Sequence, residues 1–120
     1  MRIFKNRYIT RFAAKQGITD ADLREAAERA DNSLIDADLG GGVIKQRIAR
    51  KGQGRSGGYR SLIIFRKGDK AFFMLVFAKN DRANISREEL TELKAAAEIM
   101  LAMTDTQIAA AIENSTLTEI

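Results

Sequence analysis

The sequence predicts an α+β domain, with helices packed on an antiparallel sheet of three to four strands, and three observations predict it. Apolar residues recur at helical spacing before residue 35 and again after residue 86. Between those stretches the period switches to two, and two nearly continuous apolar runs follow, Leu62-Ile63-Ile64-Phe65 and Phe72-Phe73-Met74-Leu75-Val76-Phe77. Gly40-Gly41-Gly42 stands at the switch. Helices, then strands, then helices make an α+β arrangement rather than a doubly wound parallel sheet. A length of 120 residues with 45% hydrophobic content suits one domain, 1–120, with 104–120 read as a C-terminal helix and tail extension.

In chain order, residues 1–4 read as a short strand. Ile9, Phe12 and Ala13 share a face of a helix over 9–15, which Gly17 ends. Thr19-x-x-Asp22 is a capping box, and Leu23, Ala26, Ala27, Ala30 and Leu34 recur at helical spacing behind it. Asp20, Asp22, Glu25 and Glu28 make the outer face of that helix, a solvated surface rather than an acid/base pair. From Val43 the pattern alternates, with Ile44 and Ile48 opposite Lys45 and Arg47, so a half-buried strand begins there. Residues 51–58 read as a glycine-rich basic loop. Residues 59–66 and 71–79 form a hairpin about a turn at 67–70, and their near-continuous hydrophobicity requires helices over both sheet faces. Ser86-x-x-Glu89 caps a helix carrying Leu90, Leu93, Ala97, Met100 and Leu101, and Thr104-x-x-Gln107 opens another carrying Ile108 and Ile112.

The net charge of +4 conceals a strong segregation. Residues 39–82 hold eleven basic side chains against two acids, Asp69 and Asp81, for a charge of +9, while the remainder carries −5. A surface that serves only solubility interleaves both signs, so a basic segment of this kind points to an anionic, phosphate-rich partner, RNA first. Absent histidine, the chain has no imidazole for acid/base work or metal binding, and absent cysteine it has no thiolate and no disulfide. No metal and no cofactor are expected. No apolar run approaches the ~20 residues needed to cross a bilayer, and the basic start lacks the apolar stretch of a signal peptide, so a cytoplasmic location is expected.

Gly52-Gln-Gly54-Arg-Ser-Gly57 satisfies G-x-G-x-x-G, but a strand and not a helix follows, which excludes a dinucleotide fingerprint. Two readings of this loop stay open: backbone N–H groups and the charges of Lys51 and Arg55 cradle a phosphate, or the glycines serve a flexible connection. Arg60 stands in an otherwise apolar strand, where a cation is costly unless it has partners. It either binds phosphate bidentately or pairs with a helix carboxylate. Pairing about the 67–70 turn brings Arg60 and Lys79 to one end of the sheet, beside the 51–58 loop. Tyr59 and Phe77 offer rings either to a nucleobase or to the core.

The string from Lys51 to Arg60, the apolar strand after it, and Phe77-Ala-Lys-Asn-Asp-Arg82 together resemble the RelE/HigB superfamily of toxins from bacterial toxin–antitoxin pairs, over residues 43–101. The resemblance implies a microbial-RNase-like fold and ribosome-dependent endoribonuclease cleavage of mRNA that inhibits translation. It implies metal-independent attack of a ribose 2′-OH on the adjacent phosphate, and a cognate antitoxin, expected to be a helix-turn-helix protein. By this likeness Arg60 holds the scissile phosphate, with Lys79 and Arg82 as further catalytic cations. Lys45 and Arg47 lie where the family has paired lysines, and with Lys51, Arg55, Tyr59, Phe77 and Asn80 they are the RNA-binding candidates. The chain departs from the family in having Asn84, Ile85 and Ser86 where a stacking tyrosine is expected. A non-catalytic RNA- or ribosome-binding module and an antitoxin-binding protein without nuclease activity remain alternatives, and a homo-oligomer is left open.

Overall fold

The structure, a computed structural model, describes residues 1–50 and 54–120, with the side chains of 54–56 outside it. Its elements run β1 (Arg2–Asn6), α1 (Arg7–Gln16), α2 (Asp20–Asp31), β2 (Ala37–Gly40), β3 (Val43–Arg50), β4 (Gly54–Arg66), β5 (Lys70–Ala78), α3 (Arg87–Met100), α4 (Asp105–Glu113) and β6 (Leu117–Glu119). The predicted capping boxes form: Thr19 with Asp22, Ser86 with Glu89 and Thr104 with Gln107 exchange side-chain and backbone bonds at the three helix starts. Gly17 ends α1 in the left-handed region, φ +72°.

The α+β class holds, but the sheet is larger than predicted. Six strands lie in the order β2-β3-β4-β5-β1-β6, and every pairing is antiparallel except β1 with β5, which is parallel. β2 and β6, four and three residues long, are too short to carry a readable periodicity. Leu34 is a second correction. The helix expected to include it stops at Asp31, the chain turns through Ser33 at φ +66°, and Leu34 is left 61% exposed. A third concerns residues 54–58, expected in a loop: they belong to β4, which pairs Arg50 with Gly54 past an irregularity at Ile48.

Both sheet faces are covered, as the apolar strands require. Against one face α1 and α2 set Ile9, Leu23, Ala26, Ala27 and Ala30 on Ile44, Ile48, Tyr59, Ile63 and Phe73. Against the other, α3 and α4 bring Ala97 and Ile108 to Val43, Leu62, Ile64, Phe72 and Phe4. Residues 104–120 are integral to this second core, since Ile108 and Leu117 are both buried. Gly42, at φ +84°, lies so close to the end of α3 that a Cβ there would stand 2.8 Å from Leu101 Cδ1, so glycine admits the helix onto β3.

One irregularity positions the functional region. Leu62 faces Leu75 but Ile63 faces Phe73, so Met74 is an extra residue in β5. Such a bulge shifts every later pair by one place. Phe77, rather than Val76, consequently stands opposite Arg60.

Candidate nucleic-acid interface

Across the three central strands, Arg47 pairs with Arg60, and Arg60 with Phe77. Directly opposed residues of antiparallel strands project to the same face, so these three form a row, with Lys45 on the same face two residues along β3. It is the face that α3 and α4 cover elsewhere, through Val43, Leu62 and Ile64. Like charges placed opposite each other repel, and the arrangement is favourable only with counter-charge at hand.

Part of that counter-charge is Asp36. Its carboxylate accepts from the Arg47 backbone N–H (2.7 Å), the Arg47 guanidinium (3.1 Å) and Arg29 Nη1 (3.2 Å). Burial alone pushes this carboxyl up, but the Arg47 backbone bond and the two guanidiniums together hold it below the usual range. Arg29 also donates to the Arg47 carbonyl. The loop that carries Asp36 is fixed by Gln46, which is fully buried. Its Oε1 accepts from the Asp36 N–H at 2.6 Å, and its Nε2 donates to the carbonyls of Ala26 and Leu34 at 3.0 and 3.2 Å.

Arg82 closes the row from above. Its guanidinium lies 5.0 Å from the centre of the Phe77 ring, a cation–π arrangement, while Nε donates to the Asn84 carbonyl at 3.0 Å and both terminal nitrogens donate to Glu89. Hydrogen bonds from Arg82, followed by the Ser86 backbone N–H, lower the Glu89 carboxyl to about 2. Lys45 reaches the same segment, its Nζ donating to Asn84 Oδ1 at 3.5 Å. Arg60 Nη1 donates to the Tyr59 carbonyl, also at 3.5 Å. Arg82 thus lies over Phe77, Arg60 directly opposite that ring on β4, Arg47 beside Arg60 on β3, and Lys45 is joined to the Arg82 segment through Asn84.

Other predicted positions fall elsewhere. Lys79 follows β5, its N–H donating to the Gly58 carbonyl at 3.2 Å, and both it and Asn80 are exposed at the sheet end that Arg60 occupies. Lys51 and the Arg55 side chain lie outside the described residues. Tyr59 is corrected: it stands on the opposite face from Arg60, 2% exposed, edge-on to Phe12 with centroids 5.9 Å apart and its hydroxyl on Gln16. Alternation along β4 requires this of neighbours. Phe77, 5% exposed, is a floor beneath Arg82 rather than an open stacking surface. Three contributors escaped the sequence reading, namely Asp36, Asn84 and Glu89. Glu89 was legible as the cap of α3, but nothing in the sequence tied it to an arginine seven residues earlier.

Chemically, guanidiniums and an ammonium over an apolar floor offer N–H donors and positive charge for phosphate oxygens, and no ligand for a metal ion. A family model described as the RelE toxin of the RelE/RelB toxin–antitoxin system matches residues 1–120. No curated protein matches the chain.

Proposed function

The chain belongs to the RelE toxin family of toxin–antitoxin systems, and from that premise we propose that it is an endoribonuclease that cleaves mRNA on the ribosome at the Lys45–Arg47–Arg60–Arg82 cluster. The observation that carries the reading is the row itself: Arg47 directly opposite Arg60, Arg60 directly opposite Phe77, and Arg82 over the Phe77 ring. A phosphodiester brings a further anion to such a row of cations. As the ribose 2′-oxygen attacks phosphorus and the 5′-oxygen leaves, the added charge on the non-bridging oxygens falls to the guanidinium of Arg60, with Arg82 adding its positive charge and the N–H groups not engaged by Glu89 and Asn84. Lys45, beside Asn84, neutralises the adjacent backbone. With no imidazole in the chain, the site supplies charge stabilisation more than proton transfer. Its rate therefore depends on a partner that holds the mRNA bent for in-line attack, which is the part assigned to the ribosome. The protein partner is a cognate antitoxin, read here as a small helix-turn-helix protein.

One observation favours a second reading. Tyr59 lies on the wrong face and Phe77 is covered, so neither of the two rings the sequence offered is open to a base. A non-catalytic ribosome-binding module would need none. Ribosomes programmed with a defined mRNA, followed by 5′-end mapping, separate the two. The nuclease reading expects new 5′ ends, a loss of roughly 10²- to 10³-fold in rate for Arg60→Ala, and ribosome binding largely kept. Unchanged 5′ ends and unchanged growth on induction, with ribosome binding intact, would overturn it.

A further inference from the structure

Glu89 has two simultaneous attachments that are ordinarily separate. As the third residue of α3 it accepts from the Ser86 backbone N–H at 2.8 Å and closes the capping box, which is the usual task of a glutamate at that position. It also receives both terminal nitrogens of Arg82. Arg82 follows the turn after β5, where a long cationic side chain has many rotamers to lose. Three contacts restrict it: the Phe77 ring beneath, the Asn84 carbonyl at Nε and the carboxylate at the terminal nitrogens. Phe77 sets only the floor beneath it, and of the two hydrogen-bond partners Glu89 alone belongs to a regular element, one that packs on the sheet through Ala97. The position of the guanidinium is therefore referred to the α3 framework rather than to its own loop.

We infer that Glu89 is a positioning residue for the reaction: it holds Arg82 over Phe77, beside the phosphate that Arg60 binds, and thereby couples the seating of α3 to the competence of the site. The inference rests on the nuclease reading above and assigns Glu89 no contact with substrate. The depressed Glu89 carboxyl agrees with a lasting ion pair. It excludes a role for Glu89 as a proton donor at neutral pH.

Glu89→Gln is the informative change, because glutamine retains an oxygen for the cap while it removes the charge and one of the two acceptors that face Arg82. With full-length protein and programmed ribosomes, the expected result is a 10- to 100-fold lower single-turnover cleavage rate at saturating ribosome, with the variant still fully folded at the assay temperature. In an Arg82→Ala background the same change should shift the rate by less than twofold. Equal losses in both backgrounds would assign Glu89 to stability alone and overturn the inference, and so would a faster E89Q enzyme, which would make the contact inhibitory. Wild-type rate in Arg82→Ala would overturn it by removing the object of positioning while leaving Arg60 chemistry standing. If the wild type cleaves nothing, the nuclease reading fails separately. The positioning is then read from the Arg82 Nε–H NMR signal, expected slow to exchange in the wild type and fast in E89Q. Equal exchange in the two would overturn it.

Discussion

Replacing Gln46 with methionine keeps the length and nearly the volume of the side chain while deleting its hydrogen bonds. Gln46 is fully buried on β3 and makes three of them, accepting from Asp36 N–H and donating to the Ala26 and Leu34 carbonyls. Stranding the Asp36 donor costs about 1–2 kcal/mol, and each carbonyl, which retains a second lone pair for other partners, about 0.5–1 kcal/mol. Better burial of the thioether returns about 0.5 kcal/mol, leaving a net loss of about 2–3 kcal/mol. For a domain of this size that is a drop of about 10 °C in Tm. Urea denaturation followed by far-UV circular dichroism measures the free energy, and differential scanning calorimetry the Tm. A Q46M variant within about 0.5 kcal/mol of wild type would show that these bonds make no net contribution, and would refute the idea that Gln46 anchors the Asp36 loop.

Gly42→Ala should lose about 1–2 kcal/mol in the same assay, since it combines a positive φ with a Cβ that meets Leu101 at 2.8 Å; full stability would mean that the end of α3 shifts freely. Acid should weaken the α3 start in a defined window. The Glu89 carboxyl sits at about 2 in the folded protein and near 4.3 when unfolded, so its stabilising contribution is present above about pH 4.3 and is lost as pH falls towards 2. Amide exchange in α3 across that range should show the loss in wild type and not in Glu89→Gln, and identical profiles would contradict the assignment.

How legible the fold was depends on the range over which each signal acts. Capping boxes are written within four residues, and all three formed. The alternation from Val43 correctly set Lys45 and Arg47 on one face with Ile44 and Ile48 on the other. What escaped depends on distant partners. The strand at the start of the chain was legible, but its seat between β5 and β6 was not, and β2 and β6 are too short to show a period. Met74 is an extra residue only relative to β4, so no reading of β5 alone could put Phe77 opposite Arg60. The basic segment announced an anion-binding region by charge count, yet that count could not show that two of its arginines already carry internal carboxylates, Asp36 and Glu89.

The parallel seating of β1 against β5 also orders events in time. Pairing Arg2 with Lys70 closes a loop of about 70 residues, whereas the β4–β5 hairpin closes about 4, a difference of about 2.5 kcal/mol in closure entropy. The β3–β4–β5 meander is thus the cheapest part of the sheet to nucleate, and β1 docks on it afterwards. Substitutions in β1 would then act on the unfolding arm of a chevron, and an effect confined to the folding arm would contradict that order. Lys45, Arg47, Arg60 and Phe77 all lie on that meander. The row of cations is consequently assembled with the folding nucleus, before the sheet around it is complete, and repulsion between Arg47 and Arg60 is met at the earliest stage of folding, when Asp36, only 11 residues before Arg47, is a counter-charge within local reach.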